Sequence, residues 1–362
     1  MLKILGIITH NDLGGAQNAI HKLANQVNKG QNEFQVIYLY SFKNGNYISH
    51  PNSLCLVEEN VSKLKRYPLI IFRLFKYLKK NRDASILSFL PLSNFLSAVI
   101  GRIVGIRNIT ISHRNPVSSY NLILRVADYI CGSIGIYGKI VCNSQSVLDS
   151  VAKYPNKYKA KCTVIYNAYQ KISCNENRKH NLPFNSKSIN VIAVGRLSKQ
   201  KNFEFLVSVF ENLPNFNLFI LGEGELKEKL QRQICDANLN NVLLLGALPA
   251  SVVNCALREC DIFIQPSLYE GQSNALIEAI SNSCYIVSSD IPSQREVLTT
   301  NEGKLAGDLI KGYDKENWIK HLKSLDKEVI SNSPKKKIAL QRSKDFSVEI
   351  MAESFLKTFS NI

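Results

Sequence analysis

The glycine fingerprints of nucleotide cofactors are missing from this chain. No G-x-G-x-x-G and no G-x-x-x-x-G-K-[ST] occurs, which argues against a dinucleotide oxidoreductase and a P-loop enzyme. There is no G-x-S-x-G elbow for a serine hydrolase. No two aspartates stand two apart, so a D-x-D metal site is lacking, and no Cys/His cluster has zinc spacing. The nine cysteines are odd in number and include no C-x-x-C pair. Reduced, mostly buried thiols of a cytoplasmic protein are expected, not a disulfide framework. Long apolar runs are scarce too. Ser85–Ile106 comes nearest to membrane-span length, but Pro91, Asn94 and Arg102 interrupt it, and it reads as strand Ser85–Phe89 followed by helix Ser93–Val104. Met1–Ile8 is too short for a signal-peptide core and stops at His10-Asn11-Asp12, so a first strand is expected there. Acidic residues are scarce in one half only. Residues 1–170 hold 21 basic and 7 acidic side chains, net +14, whereas 171–362 hold 24 and 22, net +2. The first half is therefore expected to face an anionic partner.

What is present fits an α/β protein. At 362 residues the chain exceeds one compact core, and 45% hydrophobic with 20% charged residues excludes disorder. Short β-branched runs alternate with helical-period segments throughout, the signature of parallel sheets. The first series runs from strand Lys3–Thr9 to Thr163–Tyr166; the second restarts at Asn190–Val194 and continues through Ile262–Gln265 to Tyr285–Ser288. Between them Gln170–Ser188 is polar and rich in Asn and Lys. The expected organisation is a Rossmann-like domain over 1–170, a linker over 171–188, a second Rossmann-like domain over 189–345, and a final helix in 346–362 that packs either back on the first domain or on the second. Ligands of such sheets bind beyond the carboxyl ends of the strands, so a two-domain version has its site in a central cleft.

The loops after the expected strands carry the polar residues of interest. After Asn190–Val194 comes Gly195-Arg196-Leu197-Ser198-Lys199-Gln200-Lys201-Asn202. Gly195 permits close approach, and Arg196 with Lys201 either clamps a diphosphate or forms an ordinary solvated loop. After Ile262–Gln265, Ser273 is placed to cap a helix opening at Asn274, whose free amides suit a phosphate. Glu278 lies about one turn inside that helix, in reach of a ribose, and Glu270 lies in the loop before it. In the first half, Gly14-Gly15 opens a helix where amides can approach an anion or sugar, or simply forms a tight turn. His113-Arg114 follows strand Asn108–Ser112. His113 is a candidate for a sugar hydroxyl or for charge near an anomeric carbon, and Arg114 for a phosphate; the alternatives are a hydrogen-bond bridge and an ion pair.

Glu270 and Glu278, with seven residues between them and Gly271 after the first, resemble the E-x7-E signature of family 4 glycosyltransferases, which have the GT-B fold. Gly195-Arg196 with Lys201-Asn202 is similar to that family's GR…KN loop. Val141-Cys142-Asn143-Ser144 and Val164-Ile165-Tyr166-Asn167 resemble its V-x-N-S and V-I-x-N-G segments. Two departures stand out: Gln272-Ser273 replaces Phe-Gly, and Ala168 replaces glycine. The resemblance implies two Rossmann-like domains facing across a central cleft. It also implies that Arg196 and Lys201 hold a nucleotide diphosphate, Glu278 the ribose and Glu270 the donor sugar, with retention of anomeric configuration. The implied reaction moves a hexose or N-acetylhexosamine from a UDP-sugar to a lipid-linked or polysaccharide acceptor in surface-glycan biosynthesis, such as lipopolysaccharide or capsule. No cofactor and no metal is expected, the leaving diphosphate's charge being met by cations and helix amides.

The basic first half bears on the acceptor. Lys63, Lys65, Arg66, Arg73, Lys76 and Lys79 alternate with Leu69, Ile71, Phe72, Phe75 and Leu78. Such interleaving suits an anionic membrane surface, placing the protein peripherally at the inner face of the cell membrane, or it marks an amphipathic helix whose apolar face packs on the sheet. Nucleic acid is not expected, since no helix-turn-helix, RRM or zinc motif occurs. Two rival readings are a GT-B-like nucleotide-sugar epimerase and a basic, non-catalytic binding protein.

Overall fold

The computed structural model describes residues 1–12, 14–41, 49–58, 61–170 and 182–360. They form two compact units: Met1–Ala168 with Ser347–Ile362, and Tyr169–Phe346. The first holds a seven-stranded sheet of β1 (Lys3–His10), β2 (Glu33–Tyr40), β3 (Ser53–Val57), β4 (Ser85–Phe89), β5 (Ile109–His113), β6 (Lys139–Cys142) and β7 (Cys162–Val164). The order is β3-β2-β1-β4-β5-β6-β7, and every neighbouring pair is parallel.

A parallel sheet needs crossover helices on both faces, which is why its strands read as nearly unbroken apolar runs. Alternation along β1 sorts those runs into two cores. Leu5 and Ile7 join one cluster with Ile70, Leu74, Ala98 and Ile100, beneath α2 (Lys63–Lys80), α3 (Pro91–Ile103) and α4 (Leu122–Ser133). Ile4 and Ile8 join the other with α1 (Gly15–Val27) and the C-terminal helix Val348–Ser360. Phe355 of that last helix sets its ring 6.1 Å from that of Phe89, so the chain's end completes the first unit's core. Burial of Met351, Phe355 and Phe359 contributes roughly 2 kcal/mol per side chain to this docking.

The second unit repeats the plan with six strands: β8 (Ile189–Val194), β9 (Phe216–Leu221), β10 (Val242–Gly246), β11 (Ile262–Gln265), β12 (Tyr285–Ser289) and β13 (Asp308–Ile310). Their order is β10-β9-β8-β11-β12-β13, again all parallel. The order reverses between β8 and β11, and the loops leaving those two neighbours therefore open at the sheet's switch point, where ligands of such sheets bind.

Two short strands, β3 and β13, were not expected from the sequence; at five and three residues they are too short to establish a period. Of the expected linker, residues 171–181 lie outside the described residues, as does Cys174. The remainder belongs to the second unit, where Phe184 packs its ring 5.1 Å from that of Phe219. The eight described cysteines form no disulfide; Cys131, Cys142, Cys255, Cys260 and Cys284 are buried, and Cys235 is exposed. Among the described residues no helix is long and apolar enough to cross a membrane.

Candidate functional site

The second unit builds its site from two loops at the switch point. β8 ends in the turn Gly195-Arg196-Leu197, which is zipped to the loop after β9. Gly195 N–H donates to the Leu221 carbonyl at 3.0 Å, Leu197 N–H to Glu223 at 2.9 Å, and Leu226 N–H to Leu197 at 3.0 Å. Two further glycines make that contact possible. A Cβ on Gly222 would lie 1.9 Å from the Gly195 carbonyl oxygen, and one on Gly224 would lie 2.4 Å from that of Leu197. This G-x-G pair after β9 escaped the sequence reading; two glycines two apart directly behind a strand were the available signal. Gly195 itself clears a path for a side chain, since a Cβ there would meet Lys201 Cε at 2.9 Å.

Lys201 uses that path to reach the loop after β11. Its Nζ donates to Glu270 Oε1 at 2.6 Å, with the two side chains only 14% and 7% exposed. Glu270 is held by more than the lysine: Ser267 Oγ donates to Oε1 at 2.8 Å and Gln200 Nε2 to Oε2 at 3.2 Å. Gln200 also stitches the backbones, donating to the Tyr269 carbonyl at 2.9 Å and accepting from Leu268 N–H at 2.9 Å. Behind them the Ser267 carbonyl accepts from the hydroxyls of Tyr313 at 2.6 Å and Ser289 at 2.7 Å. A carboxylate with three donors and a buried scaffold is fixed in direction before any ligand arrives, the property an electrostatic catalyst needs. Neither Gln200 nor Ser267 was singled out from the sequence. An ammonium carries three N–H donors, so Lys201 retains two beyond the one given to Glu270.

Ser273 caps the helix Asn274–Ser281. Its Oγ accepts from Leu276 N–H at 3.3 Å and donates to Gln265 Oε1 at 2.8 Å, tying the helix start to the end of β11. Asn274 is the first helical residue, and Glu278 follows in the second turn, half-buried. Arg196 does not join this cluster. Its side chain is 65% exposed and Nε donates to Glu225 at 3.2 Å, an exposed pair worth at most about 1 kcal/mol that a stronger anion can displace.

The first unit treats its candidates differently. Gly14 caps α1 with extended backbone, φ −161°, and no side-chain cap; Gly15 is the first helical residue. His113, expected as a catalytic group, is fully buried with both ring nitrogens engaged. Nδ1 pairs with the Tyr120 hydroxyl at 3.0 Å and Nε2 with that of Tyr158 at 2.7 Å. Tyr158 in turn donates to Asp128 Oδ2 at 2.8 Å, and Asp128 Oδ1 lies 3.4 Å from His113 Nε2. Burial pushes the imidazole's pKa down against the pull of Asp128, and pushes the Asp128 carboxyl up against the pull of His113. His113 is thus the centre of a core network and offers no nitrogen to a substrate: the catalytic expectation is corrected to the hydrogen-bond bridge.

Arg114 is also buried. Its guanidinium donates to Asn167 Oδ1 and to Ser112 Oγ at 3.4 Å and lies 4.8 Å from the centre of the Phe89 ring, and burial lowers its pKa to about 9. Asn143 Nδ2 donates to the Arg114 carbonyl at 3.2 Å, so the V-x-N-S and V-I-x-N segments converge on one residue. Ser144 caps the short helix Gln145–Asp149. Among the described residues no group of three His, Cys, Asp or Glu side chains is arranged to hold a metal ion.

Two parallel Rossmann-like units of this connectivity define the GT-B fold, and solved structures agree along the whole chain. HepE from Anabaena, crystallised with UDP and glucose, matches with a TM-score of 0.81 at 17% identity, covering 100% of both chains. Residues 175–338 match the family described as glycosyl transferases group 1. That match lies within the second unit and covers just under half of the chain. A curated relative is the N-acetylgalactosamine-N,N'-diacetylbacillosaminyl-diphospho-undecaprenol 4-alpha-N-acetylgalactosaminyltransferase of Campylobacter jejuni, 29% identical over 60% of this chain and 59% of its own. The chain thus spans about three-fifths of that relative's length. A second enzyme of the same organism, a GalNAc-alpha-(1->4)-GalNAc-alpha-(1->3)-diNAcBac-PP-undecaprenol alpha-1,4-N-acetyl-D-galactosaminyltransferase, is 22% identical over 100% of this chain and 99% of its own.

Proposed function

We propose that the protein transfers a hexose or N-acetylhexosamine from a UDP-sugar to a lipid-linked glycan acceptor, acting peripherally at the inner face of the cell membrane during surface-glycan assembly. The observation that carries this reading is the Lys201–Glu270 pair at the switch point of the second unit. It sets a cation beside a carboxylate whose direction is fixed by Ser267 and Gln200. Arg196 and the two remaining donors of Lys201 take the diphosphate, together with the amides at Ser273 and Asn274. Glu278 accepts from the ribose. Glu270 orients the donor sugar and stabilises positive charge near its anomeric carbon as the diphosphate departs. The acceptor then attacks from the face the diphosphate leaves, so configuration is retained and no covalent sugar–enzyme adduct forms.

The diphosphate's developing charge is met by fixed cations and backbone dipoles, and the reaction is expected to run without a divalent metal. The relatives' names, with undecaprenol-linked substrates, support the acceptor class, and the UDP and glucose bound to HepE support the donor class. The purified chain incubated with radiolabelled UDP-sugars and membrane extract tests the reading. Label in the lipid phase is expected. Isomerised soluble sugar would make the protein an epimerase, and unaltered donor would leave it a binding protein.

A further inference from the structure

The sequence left open whether α2 hides its apolar face against the sheet. It has apolar residues to spare. Ile70, Leu74 and Leu78 are fully buried on the core side. A second row, Leu64, Tyr67, Ile71, Phe72 and Phe75, faces solvent at helical spacing, Phe72 being 63% exposed. α4 repeats the pattern. Leu122, Ile123, Val126, Tyr129 and Ile130, with Ile134 at its end, form one outward stripe in which Ile123 is 81% exposed. Among the described residues, twelve of the eighteen exposed large apolar side chains belong to α2, α4 and the end of α3 that lies between them. A surface this apolar on one side of one unit needs a partner.

Charge identifies the partner. α2 contains no acidic residue, and the one acid of α4, Asp128, is buried in the His113 network. The charges around the stripes are Lys65, Arg73, Lys76 and Lys79 on α2, Arg125 on α4, and Lys153 and Lys157 in the segment that packs beside α4. A second copy of this chain would oppose these cations with the same cations. A nucleic acid would meet the lysines but leave the aliphatic rows wet. An anionic bilayer satisfies both, its headgroups pairing with the lysines and arginines and its acyl boundary receiving the apolar side chains.

We propose that α2 and α4 form a membrane-insertion face, with the α4 stripe entering the acyl boundary of an anionic bilayer and the α2 lysines binding its headgroups. This rests on the lipid-linked acceptor reading for its purpose, not for its evidence. It differs from electrostatic adsorption in one respect: part of the binding must survive salt, because burial of apolar side chains is not screened.

The test is flotation of the full chain with vesicles of phosphatidylglycerol and phosphatidylcholine that contain no glycan acceptor, with UDP affinity measured separately in vesicle-free buffer. Binding to phosphatidylglycerol vesicles is expected to fall at least tenfold in Ile123→Asp combined with Ile130→Asp. Both positions are exposed, so the melting temperature should hold. In Ile123→Trp, brominated acyl chains should quench the introduced indole even at high salt. Wild-type protein that stays unbound, paired aspartates that float like wild type, or an indole untouched by brominated chains would each overturn the proposal. So would a dimer in sedimentation that the aspartates dissociate, or tight nucleic-acid binding that vesicles fail to displace. Loss of vesicle binding with UDP affinity intact would sink this face alone; intact vesicle binding with no UDP affinity would sink the transferase reading alone.

Discussion

Both units place polar side chains at the carboxyl edge of a parallel sheet, yet they handle charge in opposite ways. In the second unit Glu270 and Lys201 meet at 2.6 Å, and the ion pair is supported by Ser267 and Gln200. In the first, burial drives His113 and Asp128 towards their neutral forms and lowers the pKa of an Arg114 that has no carboxylate partner among the described residues. One fold thus serves two purposes. Charge kept, aimed and accessible through a loop suits chemistry on a charged donor; polarity sealed among tyrosines and asparagines suits holding a backbone in place.

The sharpest way to break this contrast is to remove one group from each side. Glu270→Gln should lower turnover by ~10²–10³-fold, as loss of one preorganised electrostatic group does elsewhere, with UDP affinity changed only a few-fold. Steady-state kinetics and calorimetry check this, and near-normal turnover would take Glu270 out of the site. His113→Ala should act on stability instead. It strands the hydroxyls of Tyr120 and Tyr158 beside Asp128 and should cost about 3 kcal/mol in denaturant unfolding. The fraction that remains folded should keep turnover within a few-fold; a large fall in turnover at unchanged stability would return His113 to catalysis.

Acid should separate the units. His21 is pushed down to about 4 by burial and by His50, and burial also lowers His50 and His113. The unfolded imidazoles take protons near 6.5 while folded His21 resists until about 4, so stability falls as pH drops through that window. For His21 alone the loss approaches about 3 kcal/mol. Asp128, raised above 3.8, works the other way, but one carboxyl opposes three imidazoles. In the second unit burial pushes Asp308 up, but hydrogen bonds from His321, Lys335 and Tyr285 outweigh it and hold the carboxyl well below 3.8. That contribution is lost only as pH falls below the ordinary carboxylate value. Hydrogen exchange between pH 7 and 4.5 should therefore show the first unit opening first, and the reverse order would contradict this account. The smallest effect belongs to Glu225→Gln, which removes an exposed partner of Arg196 and should change stability by less than about 1 kcal/mol in thermal unfolding.

How much of this was legible in the sequence follows from range. β1 and β11 could be read directly, because a strand buried on both faces is a local apolar run, and the Ser273 cap is a local pairing with Leu276. Glu270 and Lys201 were legible as residue types in the right loops. Their contact was not, because it spans 69 positions and depends on β8 lying beside β11. Gln200 and Ser267 were hidden for the same reason. The fate of His113 was set by Tyr158, 45 residues away. α2 was recognised as a basic, apolar helix, but a helix with two apolar faces does not reveal which one the sheet covers.

On the proposed reading, cations of the second unit grip the donor's diphosphate without a divalent ion. Calorimetry of UDP binding in chelator-containing buffer, comparing wild type with Arg196→Ala combined with Lys201→Ala, tests it most directly. Wild type should bind UDP clearly, and the double variant at least thirtyfold more weakly. Equal affinities, or wild-type binding that appears only when manganese is added, would contradict it.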